Sequence, residues 1–301
     1  MRLQRGIYLR HASTTPLDPR VRDRVIACLE EDPRDEGSLL ADGRRARLIL
    51  SEARERVALL IGAASDEVVF TSGGTEASNL ALKGVALAPR RGGKERKRIL
   101  VGATEPSPVL HPARSLKRLG FEVEEIPVGI DGLLDRGRLA SMLDDRVLLV
   151  STGLANVETG VIQEIPSISE EVRGSGAIFH CDASAAAAHL AIDVGALGVD
   201  LMSLSAHRMY GPRGAGALFV RKGIRLVPLI EGGVDESGLR GGMPPVALHS
   251  GFGEAAALAM VERASWAERS WAAGRRILEA SSPRFPIWST TGRGRRASRR
   301  W

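Results

Sequence analysis

The segment SLSAHRMYGPRGAGALFV, Ser203 to Val220, sets Ser205, His207 and Arg208 in a polar turn between two strand-like runs. A lysine at position 208 would be a candidate amine nucleophile, because its pKa falls readily in a desolvated site. An arginine stays protonated and offers no free amine to condense with a carbonyl. VVFTSGGTEASNLAL places Gly73, Gly74 and Thr75 where a strand turns into a helix. Exposed N–H groups at a positive helix end suit a phosphate there, although the same glycines would also serve a plain tight turn. AIFHCDASAAAAHL puts Asp182 immediately after an apolar strand, either capping a helix or pairing with a cationic ligand atom. LANVETGVIQEI presents Asn156 and Glu158 at another strand end.

The elements that position these residues alternate. PLDPRVRDRVIACLEED and ADGRRARLILSEARERVALLIG carry apolar residues at helical spacing. Strand candidates are Glu67–Thr71, Arg98–Gly102, Glu122–Pro127, Val147–Thr152, Ala177–His180, Leu201–Leu204 and Ala217–Val220. Helix-length segments such as TEASNLALKGVALA and PSISEEVRGSG separate most of them, the pattern of an α/β fold with a mainly parallel sheet covered on both faces. In such sheets ligands bind at the carboxyl ends of the strands, where the polar turns meet. No internal repeat is visible.

At 301 residues, 44% hydrophobic and 26% charged, the chain is long enough for one large domain and part of a second. No run approaches a membrane span and the start lacks a signal-peptide core, so a cytoplasmic location is expected. Cys28 and Cys181 provide neither a disulfide framework nor a metal site. Much of the net charge of +6 lies in PRRGGKERKR, residues 89–98, and in the tail TGRGRRASRRW. The first reads as a solvated loop and the second as a disordered end, so nucleic acid is not an expected partner.

Taken in order, YLRHASTTPLDPRV, GRRARLILSEARERVALLIGA, DEVVFTSGGTEASNLALKG, LANVETGVIQEI, FHCDASAA, LGVDLMSLSAHRMYGPRGAGALFVR and EGGVDESGLRGG resemble the cysteine desulfurase branch of the class V aminotransferase-like enzymes, which use pyridoxal phosphate. The resemblance covers about residues 7–260. It implies a fold-type-I transferase: a large domain over 16–260 with a seven-stranded type of sheet, and a small domain built from residues 1–15 and from 261–282 onward. It also implies a homodimer and a sulfur-transfer protein as partners. By the same resemblance Gly74, Thr75, Ser205 and His207 would hold the cofactor phosphate, and Asp182 would pair with the pyridine nitrogen.

The chain departs from that pattern at the residues that react. Arg208 stands where the family has the lysine that binds the cofactor covalently, and Pro106 where a stacking, proton-transferring His is expected. Val157, Ala185 and Met243 replace an Asn, a Gln and a Thr that contact the cofactor, Arg10 and His11 replace an Asp-Asn pair, and Leu40 replaces a His. Residues 283–301 read as a basic tail in place of the loop that bears the family's nucleophilic Cys and substrate-binding Arg, as a truncated or frameshifted end would. Two readings follow. One is the family reaction, in which L-cysteine gives alanine and an enzyme persulfide, impaired or absent here. The other is a non-catalytic relative that binds a phosphate ligand or a sulfur-transfer partner.

Overall fold

The computed structural model describes residue 8 and residues 10–31, 41–89, 96–233 and 235–281. The expectations placed on Leu40, on the centre of the 89–98 run and on the 283–301 tail lie outside them. Strands β1 (Val68–Thr71), β2 (Arg98–Gly102), β3 (Glu122–Ile126), β4 (Val147–Gly153), β5 (Ile178–Asp182), β6 (Leu201–Ser205) and β7 (Gly216–Val220) form one seven-stranded sheet in the order β1-β7-β6-β5-β4-β2-β3. All pairings are parallel except those of β7, which runs antiparallel to both β1 and β6. The short connection through Gly211–Ala215 explains this, because a parallel return needs a crossover of a dozen or more residues.

Burial decides which runs became which strands. In β6 and β7 every residue is buried, as befits strands covered on both faces. Edge strand β3, EVEEI, instead buries only Val123 and Ile126 and leaves its three glutamates exposed.

Helices α1 (Pro19–Glu30), α2 (Ala41–Ile61), α3 (Gly74–Leu87), α4 (Ser107–Leu116), α5 (Arg136–Met142), α6 (Ile165–Ser175), α7 (Val194–Leu197) and α8 (Val246–Ser281) complete the chain. α3 and α4 cover one face through Leu80, Val85, Val109 and Leu116. α2, α6 and α8 cover the other with Val57, Ile61, Ile168 and Phe252. α8 continues without a break across residue 260. Its crossing with α2 is close enough that a Cβ at Gly253 would fall 2.6 Å from the Ala53 Cα. Among the described residues no helix is long and apolar enough to cross a membrane.

Inside the sheet, polar side chains form a chain of their own. Ser151 Oγ meets His180 Nδ1 at 2.8 Å, His180 Nε2 meets Ser203 Oγ at 2.9 Å, and Ser78 Oγ of α3 donates to Ser203 at 3.1 Å. Each buried polar group is thereby satisfied, which offsets the cost of removing it from water.

The parallel strands bring the carboxyl ends of β1, β2, β4, β5 and β6 to one edge, and β7 starts there. Gly216 pairs with Thr71 on one side and Ser205 on the other. A Cβ on it would lie 2.5 Å from the Gly73 backbone, so no side chain fits. Gly216→Ala is expected to cost about 3 kcal/mol by forcing this backbone apart, and urea unfolding of the variant against the parent checks it.

Candidate functional site

Five strand-end turns enclose a cavity of about 500 Å³, the scale of a small-molecule site. The turn after β1 begins it. Thr71 Oγ1 donates to the Gly73 carbonyl at 3.1 Å, and the Ser72 N–H is taken by the Glu76 carboxylate at 2.8 Å. Arg240 fixes that carboxylate from the other side at 3.3 Å. The next N–H groups, at the start of α3, have no partner within the helix and carry its positive end. Gly74 is required here because a Cβ would lie 2.6 Å from Ser184 Oγ and 3.3 Å from Ser205 Cβ.

Ser205, at the end of β6, is 2% exposed, and its hydroxyl has no hydrogen-bond partner; nor has the buried Ser184 hydroxyl. Both line the cavity. Two buried unpaired hydroxyls beside a helix N-terminus are what a bound oxyanion would complete.

Asp182 forms the floor. It is the last residue of β5, paired with Ser203, rather than the residue after the strand. Its Oδ1 accepts from the Ser184 N–H at 2.9 Å. Burial pushes its carboxyl up, while the Ser184 hydroxyl, which faces it without closing a well-formed hydrogen bond, the Ser184 N–H and the charge of Arg208 draw it down.

Arg208 ends the short turn Ala206–Arg208 and lines the cavity, and its guanidinium donates to the Ala12 carbonyl at 2.7 Å. His207 is tied to the amino-terminal segment as well. Its carbonyl accepts from the Thr15 N–H at 2.9 Å and from Thr15 Oγ1 at 3.0 Å, and its Nδ1 lies 3.1 Å from Thr14 Oγ1. Burial first, then the charges of Arg208 and Arg213, hold its imidazole below the usual range. Tyr210 takes a left-handed backbone, φ 60°, with its N–H donated to Thr15 Oγ1 at 2.7 Å.

The remaining wall comes from the turns after β2 and β4. Pro106 is the N-cap of α4 and supplies no side-chain hydrogen bond. Asn156 is fully used as a stitch: Nδ2 donates to the Thr104 carbonyl at 2.9 Å, and Oδ1 accepts from the Glu158 and Thr159 N–H groups at 2.9 and 3.0 Å. Val157 and Ala185 line the wall.

The structure thus brings Gly74, Thr75, Pro106, Asp182, Ser205, His207 and Arg208 around one cavity. Met243, 71% exposed, does not line it, and His11 lies instead near the Tyr8 and Tyr210 rings. Both cysteines are buried, Cys28 at 1% exposure and Cys181 at 0%, and neither lines the cavity. Burial pushes both thiols up, away from the reactive thiolate.

Among the lining residues that sequence reasoning missed are Ser184 and Glu105. Glu105 is 8% exposed, and its Oε1 accepts from the Gly153 N–H at 2.8 Å and from Thr152 Oγ1 at 3.3 Å. Burial, assisted by the Asp182 charge, raises its carboxyl to about 8. The available signal was a carboxylate three residues past the end of an apolar strand, in GATEPSP.

Comparison with known proteins agrees with this geometry. The family described as "Aminotransferase class-V" matches residues 7–276. The cysteine desulfurase IscS of Dictyoglomus turgidum is 41% identical over 267 residues, covering 89% of this chain and 67% of its own length. The cysteine desulfurase IscS of an Anaeromyxobacter species is 43% identical over 289 residues, covering 95% and 71%. Among solved structures, DndA from Streptomyces lividans superposes with a TM-score of 0.81 at 34% identity, over 92% of this chain and 78% of that one. The chain therefore spans about two thirds of the length of these curated relatives and belongs to the class V aminotransferase family, in its cysteine desulfurase branch.

Proposed function

We propose that this protein holds a phosphate-bearing ligand of the pyridoxal phosphate type without a covalent bond, and does not release sulfur from L-cysteine. The carrying observation is Arg208, a cavity-lining guanidinium at the position where the family's lysine is expected. It has no unprotonated nitrogen to offer a carbonyl.

The cavity fits the cofactor at two ends and fails at the third. The start of α3 with Thr75 and the unpaired hydroxyls of Ser184 and Ser205 would hold the phosphate, with His207 beside them. Asp182 would hold a protonated ring nitrogen. When bound, the cofactor supplies an electron sink. Arg208 would add a fixed positive charge for an anionic group, and Pro106 leaves its wall without an acid or base. Among the described residues no cysteine lines the cavity, since Cys28 and Cys181 are buried elsewhere.

Association as a homodimer belongs to the same reading, supported by apolar side chains left exposed at Leu29, Leu48, Leu59 and Met243. A sulfur-transfer protein remains the partner that the family suggests. The relatives' identity of 41–43% favours a second reading, the full desulfurase reaction. Assaying alanine and sulfide from the purified chain with pyridoxal phosphate and L-cysteine separates the two. The expected rate is that of the free cofactor, and sulfide formation clearly above it overturns the proposal.

A further inference from the structure

Glu105 is the one cavity-lining carboxyl, among the described residues, that combines deep burial with an oxygen lacking any partner. Its two oxygens are not equivalent. Oε1 is occupied as an acceptor by the Gly153 N–H at 2.8 Å and Thr152 Oγ1 at 3.3 Å. Oε2 is buried and meets no hydrogen-bonding atom. Backbone positions hold the group in place: a Cβ at Gly102 would fall 2.8 Å from Oε1 and one at Gly153 would fall 3.3 Å from Oε2. The carboxyl fills the space those glycines leave, and an oxygen left bare in this way is costly unless something enters to complete it.

The charged and titratable groups around it decide what that something is. Asp182 and the neutral thiol of Cys181 face it from β5. Glu76 at the start of α3, Glu158 in the turn after β4, and His207 and Arg208 stand further around the cavity. The charge of Arg208 draws the Asp182 carboxyl down against its burial, whereas no cation among the described residues acts on Glu105. Burial, with the Asp182 carboxyl adding to it, favours the protonated form of Glu105. With Oε1 already accepting two hydrogen bonds, the proton belongs on Oε2.

We propose that Glu105 is a ligand-binding residue of this cavity, donating a hydrogen bond from Oε2 to an acceptor atom of the ligand whose phosphate sits at the start of α3. The inference rests on the phosphate-ligand reading above and narrows it. The favoured ligands are phosphate monoesters with a second acceptor, such as a phenolic, carbonyl or carboxylate oxygen. A cationic group at that point is disfavoured.

The test uses calorimetric titration of the full chain with deoxypyridoxine phosphate, which keeps the ring, phenolic oxygen and phosphate of pyridoxal phosphate but has no aldehyde to react with surface lysines. Inorganic phosphate is the second probe. Glu105→Gln keeps an acceptor for Gly153 and a donor for the ligand, so its affinity at pH 7 should stay within about threefold of the parent. Glu105→Ala should lose roughly tenfold for deoxypyridoxine phosphate and nothing for inorganic phosphate. From pH 7 to 9 the parent should lose roughly tenfold in affinity relative to Glu105→Gln, whose comparison cancels the ligand's own ionisation. Circular dichroism confirms that each variant is folded, and if Glu105→Ala is not, the pH comparison of parent with Glu105→Gln decides alone. Parallel pH profiles in parent and Glu105→Gln, or a folded Glu105→Ala that binds deoxypyridoxine phosphate as the parent does, overturn the role of Glu105 while leaving the phosphate-ligand reading intact. Failure of the parent to bind either probe overturns both.

Discussion

Arg208→Lys is expected to convert a protein with no borohydride-trappable adduct at residue 208 into one carrying about one cofactor per chain there after incubation with pyridoxal phosphate. The position follows β6 directly and lines the cavity beside the unpaired hydroxyls of Ser184 and Ser205. A half-buried amine at that point has a lowered pKa and condenses with an aldehyde, as the guanidinium cannot. Peptide mass mapping after reduction distinguishes residue 208 from surface lysines. Sulfide release from L-cysteine should nevertheless remain at the level of free cofactor, because Pro106 still transfers no proton and the thiols of Cys28 and Cys181 remain buried. A folded variant that forms no adduct would remove the basis for the phosphate-site reading. Turnover would show that the reactive machinery is more complete than Arg208 and Pro106 suggest.

The second large effect concerns acid stability. Burial lowers both His180 and His249 from 6.5 to about 3. Below pH 6.5 the unfolded chain binds protons that the folded chain refuses, so stability must fall as pH drops from 6.5 towards 3. At pH 5 the penalty is about 2 kcal/mol for each histidine. Glu105, raised to about 8, has the opposite sign: its contribution falls as pH rises from 4.5 through 8.

The two histidines differ in what their removal leaves behind. His180 hydrogen-bonds at both ring nitrogens, and His180→Leu should destabilise at pH 7 by stranding the Ser151 hydroxyl, a loss that relief of the acid penalty offsets by pH 5. His249 stacks on Phe70 at 4.2 Å, and the Thr71 backbone faces it without closing a well-formed hydrogen bond. His249→Leu should therefore be close to neutral at pH 7 and about 2 kcal/mol more stable than the parent at pH 5. Denaturant unfolding at the two pH values checks this. A variant as acid-sensitive as its parent would contradict the buried neutral state of His249.

Every strand was legible in the sequence, with boundaries shifted by a residue or two where local pairing took over. Glu67 belongs to a short turn, its carboxylate accepting from the Ala64 N–H, while Asp182 joins β5 because Ser203 and Gly153 pair with it. The direction of β7 was encoded only in the shortness of its connection to β6. At the site, TSGGTEAS, FHCDAS and SLSAHR announce their residues because each turn lies next to its own strand. Glu105 was silent for the converse reason. Its significance depends on Gly153, 48 residues later, and on an oxygen that nothing else among the described residues reaches. The attachment of Thr14 and Thr15 to His207 was equally hidden, since no local pattern announces a contact with a turn so far along the chain.

That attachment also bears on the order in which the molecule assembles. Ala12 and Arg208 are separated by 196 residues, and Thr15 and His207 by 192. Contacts of such span close the largest loops and are the slowest to be rewarded during folding. On a growing polypeptide the amino-terminal segment has nothing to lie against until the turn after β6 has been synthesised. The turn that carries His207 and Arg208 to the cavity therefore gains its anchor after most of the sheet can already pair, and the finished form of the site belongs to the nearly complete chain, not to any shorter nascent piece.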